Sequence, residues 1–310
     1  KPFFLYFATT TPHGPTEAHR SWNADRRATP EGWLKKAPEV QPDSQSIASR
    51  AKEHGVEGKE TLIWIDDAIG ALLQKLEAKG ELDNTIIFFF NDHGQSAKGS
   101  VYQGGVHNPS VIWRHDGWPV GSESQALVSN VDFTPTMLDI AGASVAEDTD
   151  GVSFLPVLLN KSETIRDSLY FEMGFTRGVM KDDMKYIALR YPPSIENMSR
   201  EERQARLTHM NDNLRERGRP VHTEDPDAPL GHLMPIPGGH DAEQGAIKSY
   251  PFYHDPDQLY DVASDPGEQK SLAADPAYAE TLASMKILME SYLVRLPGKF
   301  PIQSQTESSD

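Results

Sequence analysis

Two short apolar runs, separated by one long amphipathic segment, constrain the fold of this chain most strongly. Residues 3–7 and 85–90 are almost entirely apolar, as expected of strands that are buried on both faces. Between them, residues 62–76 carry apolar side chains at intervals of three and four, which predicts a helix with one buried face. A helix between two buried strands is typical of a parallel sheet covered by helices. We therefore predict an α/β fold with a mainly parallel sheet sandwiched by helices.

The pattern changes near residue 160. Residues 168–172 and 185–189 indicate strands of a smaller antiparallel sheet, and residues 274–293 indicate a final helix. We predict that residues 1–160 belong to the α/β domain. Residues 161–300 then form a smaller C-terminal antiparallel α+β subdomain, with a polar insertion at about 192–250 and a short helix near 200–215. Residues 301–310 are predicted to be a disordered tail.

Composition excludes several classes of protein. The net charge of −16 argues against a nucleic-acid partner, because binding to phosphates needs clustered Lys and Arg. No apolar run is long enough to span a membrane. The sequence has no cysteine, so disulfides, thiolate zinc sites and a Cys nucleophile are excluded within it. It also shows no signal peptide, and we expect a chain that starts in the middle of a larger fold.

Ligand-type residues follow the predicted strands. Residues 12–15 (Pro-His-Gly-Pro) come after the first strand, and residues 91–94 (Asn-Asp-His-Gly) come directly after the second. A glycine-rich loop with a lysine, residues 96–109, comes next. Ligands of open α/β sheets sit beyond the carboxyl ends of the strands. A carboxylate beside an imidazole suits a divalent cation there, and a lysine suits an oxyanion held against that cation.

In their order and spacing, these segments resemble the sulfatase family of the alkaline phosphatase superfamily. The resemblance extends from residue 1 to about residue 293 and implies an alkaline-phosphatase-like fold. The matching segments are the histidine loop 12–15, the helix and turn 65–85, the Asp-His pair at 92–93, the lysine loop 98–105, residues 131–136 and 150–153, and the C-terminal signature at 258–261 and 265–268. Within the lysine loop, Gln103 stands where Glu is common in the family, and His107 stands where Arg is common.

The resemblance implies a role for each matching residue. Asp92 and His93 are expected to bind one Ca²⁺, and Lys98 is expected to contact the sulfate oxygens. His13 is expected to contact the sulfate or the bridging oxygen and to assist the leaving group. Three further residues are candidates for substrate contact: His107, His240 and Arg177. For His107 an indirect hydrogen bond is the alternative, for His240 a surface loop is the favoured alternative, and for Arg177 a position away from the pocket is favoured. Asp66 and Asp67, although adjacent carboxylates, are predicted to be solvated or capping charges because they lie within the predicted helix.

The family's nucleophile is a formylglycine made from a Cys or Ser that is followed by x-Pro-x-Arg. That motif and the family's first pair of metal-binding aspartates are absent from these 310 residues. We therefore expect an N-terminal half of the same enzyme to supply them, and we expect this chain alone to be inactive. The resemblance also implies a periplasmic or extracellular location.

Three functions stay open on the sequence. The leading interpretation is a sulfuric ester hydrolase that removes sulfate from a carbohydrate in polysaccharide degradation, since the long polar insertion offers a broad hydrogen-bonding surface. A phosphodiesterase or phosphonate monoester hydrolase of the same superfamily is the second, because those enzymes also use an Asp-His pair at a metal. A non-catalytic fragment that binds glycan is the third.

Overall fold

The computed structural model describes residues 2–9, 23–29, 31–40, 42–115, 118–146, 148–229, 231–233 and 240–302, without the side chains of 240–244. The chain forms two compact units, one of Lys1–Ile87 and Ile112–Gly117, the other of Phe88–Val111 and Trp118–Asp310. The predicted domain boundary near residue 160 lies inside the second unit and stays a prediction. Over the part described, no helix combines the length and apolar character needed to cross a membrane.

The secondary structure combines strands and helices throughout. In chain order, the described strands are β1 (Ala28–Thr29), β2 (Gly32–Trp33), β3 (Ile86–Phe90), β4 (Ser110–Arg114), β5 (Ser168–Met173), β6 (Thr176–Lys181), β7 (Met184–Leu189) and β8 (Asp257–Asp261). The described α-helices are α1 (Ser44–Glu53), α2 (Glu60–Ala78), α3 (Gln103–Val106), α4 (Phe133–Ile140), α5 (Leu155–Leu158), α6 (Pro193–Glu196), α7 (Arg200–Glu216), α8 (His240–Ser249) and α9 (Ala279–Leu293). Short 3₁₀ turns cover Leu82–Asn84, Asn130–Asp132 and Pro276–Tyr278.

The first unit contains the β1–β2 hairpin and helices α1 and α2. Asp43 caps α1, because its side chain accepts a hydrogen bond from the Ser46 N–H at 2.8 Å. Arg50 of α1 donates two hydrogen bonds to Asp67 of α2, at 2.9 and 2.5 Å. The Asp67 side chain is only 11% exposed, so the prediction of a solvated charge is wrong at this position. Asp67 lies on the side of α2 that meets α1, where its charge is balanced by Arg50.

The predicted helix at residues 62–76 is confirmed as α2, and its end follows the expected glycine chemistry. Gly80 adopts a positive φ of 68°, a conformation that is costly for residues with a Cβ. The chain reversal lets the Glu81 N–H donate to the Leu76 carbonyl at 3.0 Å, which satisfies one of the last carbonyls of the helix. The chain then passes through one 3₁₀ turn into β3.

Strands β3 and β4 pair with each other in a two-stranded sheet, and β3 confirms the strand predicted at residues 85–90. Residues 3–7, in contrast, form no strand, and their side chains are exposed, with Phe4 at 75% and Tyr6 at 73%. The predicted buried strand is wrong for this segment. A strand buried on both faces needs paired neighbours and covering helices, and apolar side chains alone do not provide them. The mainly parallel sheet stays a prediction.

Strands β5 to β8 form a four-stranded antiparallel sheet in the order β5-β6-β7-β8. The predicted antiparallel sheet is therefore present, and its assignment to a separate subdomain of residues 161–300 stays a prediction. Successive strands β5, β6 and β7 are joined by tight turns in which Gly174 and Asp182 have positive φ, at 52° and 51°. Strand β8 comes from far along the chain, after the polar insertion, and pairs with β7 from Met184↔Asp261 to Ala188↔Asp257. The insertion itself contains α6, α7 and α8, and α7 confirms the helix predicted near 200–215.

The antiparallel sheet buries both faces, because side chains alternate along each strand. On one face, Tyr186 and Leu259 pack with Met285 and Met289 of α9. Ile302 joins this cluster and is 4% exposed, so the packed chain extends two residues into the predicted tail. Residues 303–310 lie outside the described residues.

The opposite face of the sheet supports the glycine-rich loop. Ile187 of β7 and Tyr260 of β8 pack with Val101 and Tyr102, and Tyr250 completes the contact. Tyr102 and Tyr250 stack with ring centroids 3.6 Å apart. The sheet therefore acts as a platform for the segment in which the sequence predicts the substrate-binding lysine.

Candidate active site

The segment that follows β3 is held by side-chain amides. The carbonyl oxygen of Asn91 accepts a hydrogen bond from Asn108 Nδ2 at 2.6 Å. The carbonyl oxygen of Asp92 accepts one from Asn130 Nδ2 at 3.4 Å. These contacts fix the main chain on which the predicted cation ligands are carried. Sequence reasoning missed both asparagines, although Asn108 stands within the glycine-rich loop that it had singled out.

The ring of His93 has a defined tautomer. Its Nδ1 lies 2.6 Å from the carbonyl oxygen of Gly94, and a carbonyl can only accept, so Nδ1 carries the proton. In the neutral ring, Nε2 then presents a lone pair, as in histidines that bind metals through one nitrogen and donate from the other. His93 Nε2 lies 3.7 Å from Asp92 Oδ1. The Asp92 side chain is 87% exposed, so its carboxylate is accessible to a ligand.

The Asp-His-Gly segment and the glycine-rich loop form one hydrogen-bonded substructure. Gly94 N–H donates to the Gly105 carbonyl at 2.8 Å, and the N–H groups of Ser96 and Ala97 donate to the Gly104 carbonyl, each at 3.1 Å. The main chains approach so closely that a Cβ on Gly94 would lie 2.3 Å from the Gly104 oxygen. Glycine is therefore required by the close approach of two segments.

Lys98 and His107 are both exposed on this substructure. Lys98 has no hydrogen bond or ion pair with any residue that the structure describes, so its ammonium is available to an anion. The main chain next to each of these residues is fixed by a hydrogen bond. Beside Lys98, Ser100 Oγ donates to the Ala97 carbonyl at 2.8 Å, and beside His107, Asn108 Nδ2 donates to the Asn91 carbonyl. His107 lies at the end of α3, where its N–H donates to the Gln103 carbonyl at 2.8 Å.

Two of the predicted cation ligands, Asp92 and His93, lie beside each other. Adjacent ligands around Ca²⁺ lie about 3.4 Å apart at ligand distances of about 2.4 Å, close to the spacing of His93 Nε2 and Asp92 Oδ1. Calcium takes six to eight ligands, mostly oxygen. Among the residues with described side chains, no group of three or more His, Asp or Glu is placed to hold a metal ion. The Asp92–His93 pair therefore has donor chemistry that fits a divalent cation, and it does not complete a calcium site.

Of the remaining predicted site residues, Arg177 has a described side chain, and its described contacts lie within the antiparallel sheet. His13 lies outside the described residues, and so does the side chain of His240, whose backbone begins α8. Arg177 of β6 pairs with Glu172 Oε1 at 3.0 Å and donates to the Gly174 carbonyl at 2.8 Å. Its guanidinium also lies over the ring of Phe300, 4.8 Å from the centroid. These contacts give Arg177 a role within the antiparallel sheet.

Comparison with known proteins gives a consistent family. A family model described as Sulfatase matches residues 1–143. An N-acetylglucosamine-6-O-sulfatase of Bacteroides thetaiotaomicron is 42% identical over 114 residues, which are 34% of this chain and 20% of that protein. The N-acetylglucosamine-6-sulfatase of Homo sapiens is 30% identical over 187 residues, covering 52% of this chain and 33% of that protein. The chain thus spans about one fifth to one third of the length of these curated relatives.

A solved structure shows that the fold is shared. A protein in complex with its substrate, D-glucosamine-2-N,6-O-disulfate, is similar with a TM-score of 0.53 and 23% identity, over 86% of this chain and 45% of that one. The segments singled out in the sequence, the family match over residues 1–143 and this structural likeness all agree. Residues 1–143 thus match the sulfatase family, and the similarity to known sulfatases supports the resemblance predicted from the sequence.

Proposed function

We propose that this chain contributes to an enzyme that hydrolyses sulfate esters of carbohydrates. The observation that carries the proposal is the hydrogen-bonded substructure of residues 91–108. It presents an accessible carboxylate, an imidazole, and a lysine that has no ion-pair partner among the described residues. Such a set can hold a cation and a tetrahedral anion side by side. The relatives that act on sulfated N-acetylglucosamine favour a 6-O-sulfated glucosamine residue as the substrate.

The proposed chemistry divides the work among the chain's own residues. Lys98 places its ammonium against the sulfate oxygens, where it stabilises the negative charge that grows during transfer. Asp92 and His93 contribute two ligands to a calcium site whose other ligands come from outside the described residues. Calcium, when bound, supplies further positive charge to the sulfate group. His13 is proposed to donate a proton to the leaving oxygen, and His107 to contact the sugar sulfate.

The nucleophile is proposed to come from a further segment. The formylglycine motif of the family is absent from these 310 residues, and so is any cysteine. We propose that an N-terminal half of the same enzyme provides this motif and the missing calcium ligands. The complete enzyme is proposed to work in the periplasm or outside the cell.

A substrate panel tests the proposal. Sulfate release is measured from N-acetylglucosamine 6-sulfate and 4-nitrophenyl sulfate, and hydrolysis is measured with a phosphonate monoester. The chain is assayed alone and when co-produced with a segment that carries the Cys-x-Pro-x-Arg motif. We expect no turnover by the chain alone and, for the assembled protein, the highest kcat/KM on the sugar sulfate. Activity on the aryl sulfate only, or faster cleavage of the phosphonate, would contradict the proposed substrate class.

A further inference from the structure

A fully buried ion pair lies beside the glycine-rich loop. Lys185 Nζ of β7 and Glu268 Oε1 are 2.9 Å apart, and both side chains are 0% exposed. The ammonium also lies over the ring of Phe171, 5.3 Å from its centroid. Charged groups are almost never fully buried unless they are paired, because each loses its hydration. A pair at this depth therefore requires an explanation beyond the packing of the sheet.

Both members of the pair bind the same residue of the loop. Glu268 Oε2 accepts a hydrogen bond from the Gln103 N–H at 2.5 Å, and Lys185 Nζ donates to Gln103 Oε1 at 3.3 Å. Gln103 is the first residue of α3, the turn that ends at His107. The carboxylate thus occupies the place of a helix cap, although it comes from a position 165 residues further along the chain.

The backbone at Glu268 is held in an unfavourable conformation. Glu268 has φ of +53°, in the left-handed region that glycine and asparagine occupy at least cost. Its turn is held by Asp265, whose carbonyl accepts from the Glu268 N–H at 3.0 Å and whose Oδ2 accepts from the Lys270 N–H at 2.8 Å. A non-glycine residue that is kept in this region points to a requirement for its side chain.

The residue before Gln103 is anchored to the same sheet. Tyr102 donates to Gln258 Oε1 of β8 at 2.5 Å. The main chain is therefore fixed at positions 102 and 103, whereas the side chains of Lys98 and His107 on either side extend to solvent. The direction in which the loop presents these two side chains depends on how firmly its centre is held.

We propose that Glu268, paired with Lys185, is a positioning residue: it holds the start of α3 and so orients the loop that presents Lys98 and His107 to the sulfate group. This inference rests on the proposed function. Glu268 contacts no reacting atom in this role and acts through the Gln103 N–H. The acceptor oxygen of residue 268 positions the loop. Lys185 supplies the counter-charge that lowers the free-energy cost of burying the Glu268 carboxylate.

The energetics of burial separate positioning from stability. Burial lowers the pKa of Lys185 to about 8 and raises the pKa of Glu268, in each case because desolvation outweighs the attraction of the partner. A buried ion pair of this kind contributes little net stability, and its replacement by apolar residues of similar volume is often neutral or stabilising. If the pair served stability alone, a variant that removes both charges together would keep both its stability and its loop structure.

Two double variants test the proposal. In K185M/E268Q both charges are removed and an amide oxygen still accepts from the Gln103 N–H. In K185M/E268L both charges are removed and the acceptor is lost. The two proteins differ only at residue 268, so their comparison isolates this hydrogen bond. Each is measured for its Tm, for hydrogen exchange of the amides of residues 96–107, and for kcat and KM of the assembled enzyme on N-acetylglucosamine 6-sulfate.

We expect both variants to fold with Tm values close to that of the wild type. K185M/E268L should show at least tenfold faster amide exchange in the loop and at least tenfold lower kcat, because a tenfold change corresponds to the loss of roughly one hydrogen bond. K185M/E268Q keeps this hydrogen bond, so its exchange rate and its kcat should each stay within about threefold of the wild type. Equal loop exchange in the two variants would overturn the proposal, even if the wild type proves to have no sulfatase activity. Faster exchange with unchanged kcat would overturn the catalytic part of the role.

Discussion

The N–H of Gly94 donates to the carbonyl oxygen of Gly105 at 2.8 Å, and this one contact joins the predicted cation ligands to the predicted sulfate-binding loop. Asp92 and His93 immediately precede the donor, and His107 follows the acceptor by two residues. The contact thereby fixes two segments, whose glycines are eleven positions apart in the sequence, as one surface. Neither end of the contact has room for a side chain, because a Cβ on Gly94 would lie 2.3 Å from the Gly104 oxygen and one on Gly105 would lie 2.4 Å from the Ser100 oxygen.

A Cβ at position 94 is expected to break this substructure. In Gly94→Ala the new carbon would lie 2.3 Å from the Gly104 carbonyl oxygen, which is main chain and cannot move aside without displacing the loop. We expect a loss of about 1–3 kcal/mol in the free energy of unfolding, measured by urea denaturation. Gly70→Ala is the control, since nothing lies within 4 Å of its Cβ in the middle of α2. It should be more stable than the wild type by about 0.5–1 kcal/mol, and an equal loss in both variants would argue against the close approach.

Removal of the Asp92 carboxylate is expected to weaken cation binding. The Asp92 side chain is 87% exposed and its Oδ1 lies 3.7 Å from His93 Nε2, so Asp92→Asn would remove one proposed anionic ligand at an exposed position. Calcium affinity of the assembled protein, measured by isothermal titration calorimetry, should fall at least tenfold. Asp66→Asn, at an exposed position of α2, is the matched control and should bind as the wild type does. Unchanged affinity in Asp92→Asn would remove this residue from the cation site.

The buried pair Asp132–Arg166 is expected to be essential for stability. Arg166 donates to both oxygens of Asp132, whose side chain is 0% exposed and also accepts from the N–H groups of Ser129 and Val152. Arg166→Met would leave a buried carboxylate without its counter-charge, at a cost of about 3–5 kcal/mol in unfolding free energy. Arg215→Met is the control, because Arg215 pairs with Asp212 and Glu224 at exposed positions, so its loss should cost less than about 1 kcal/mol. Similar losses in the two variants would contradict the burial argument.

The tyrosine cluster under the loop is expected to make the protein sensitive to alkali. Burial raises the pKa of Tyr250 to about 12, and burial raises the pKa of Tyr102 and Tyr260 further. Each folded-state pKa lies above the ordinary value near 10, so the folded protein binds more protons than the unfolded chain above that pH. The contribution of these tyrosines to the free energy of unfolding is fully present below pH 10 and is lost as the pH rises through about 12. Absorbance at 295 nm should show these phenols ionising only with unfolding, and titration in the folded state near pH 10 would contradict the burial.

Sequence patterns predicted a helix or strand correctly where its formation depends on residues nearby in the sequence. The spacing of apolar residues identified α2, and the continuous run at 85–90 identified β3. Strand β6 was missed, since its sequence includes Gly178 and Arg177 and lacks a clear apolar alternation. The prediction of a buried strand at residues 3–7 was wrong for the opposite reason. Their composition suits a buried strand, but burial depends on partner segments that composition does not specify.

The candidate site shows the same division between local and long-range information. Asp92, His93 and Lys98 could be singled out because they stand close together in the sequence after a recognisable strand. The role of Glu268 could not be inferred in this way, since it contacts Gln103 across 165 positions and only the folded sheet brings Lys185 to the same point. No local sequence pattern shows that a charged residue will be buried, and the role of such a residue depends on the groups that the fold places around it.

The most direct test of the account is the kcat/KM of Lys98→Met compared with Lys161→Met in the assembled enzyme, with N-acetylglucosamine 6-sulfate as the substrate. Both are exposed lysines without an ion-pair partner among the residues described, so the two changes are matched in charge and exposure. We expect Lys98→Met to lower kcat/KM by about 100-fold or more, as for loss of a group that stabilises transition-state charge. Lys161→Met should stay within about twofold of the wild type, since surface substitutions away from a site have small effects. Equal activity in the two variants would contradict the claim that the loop of residues 96–107 faces the sulfate group.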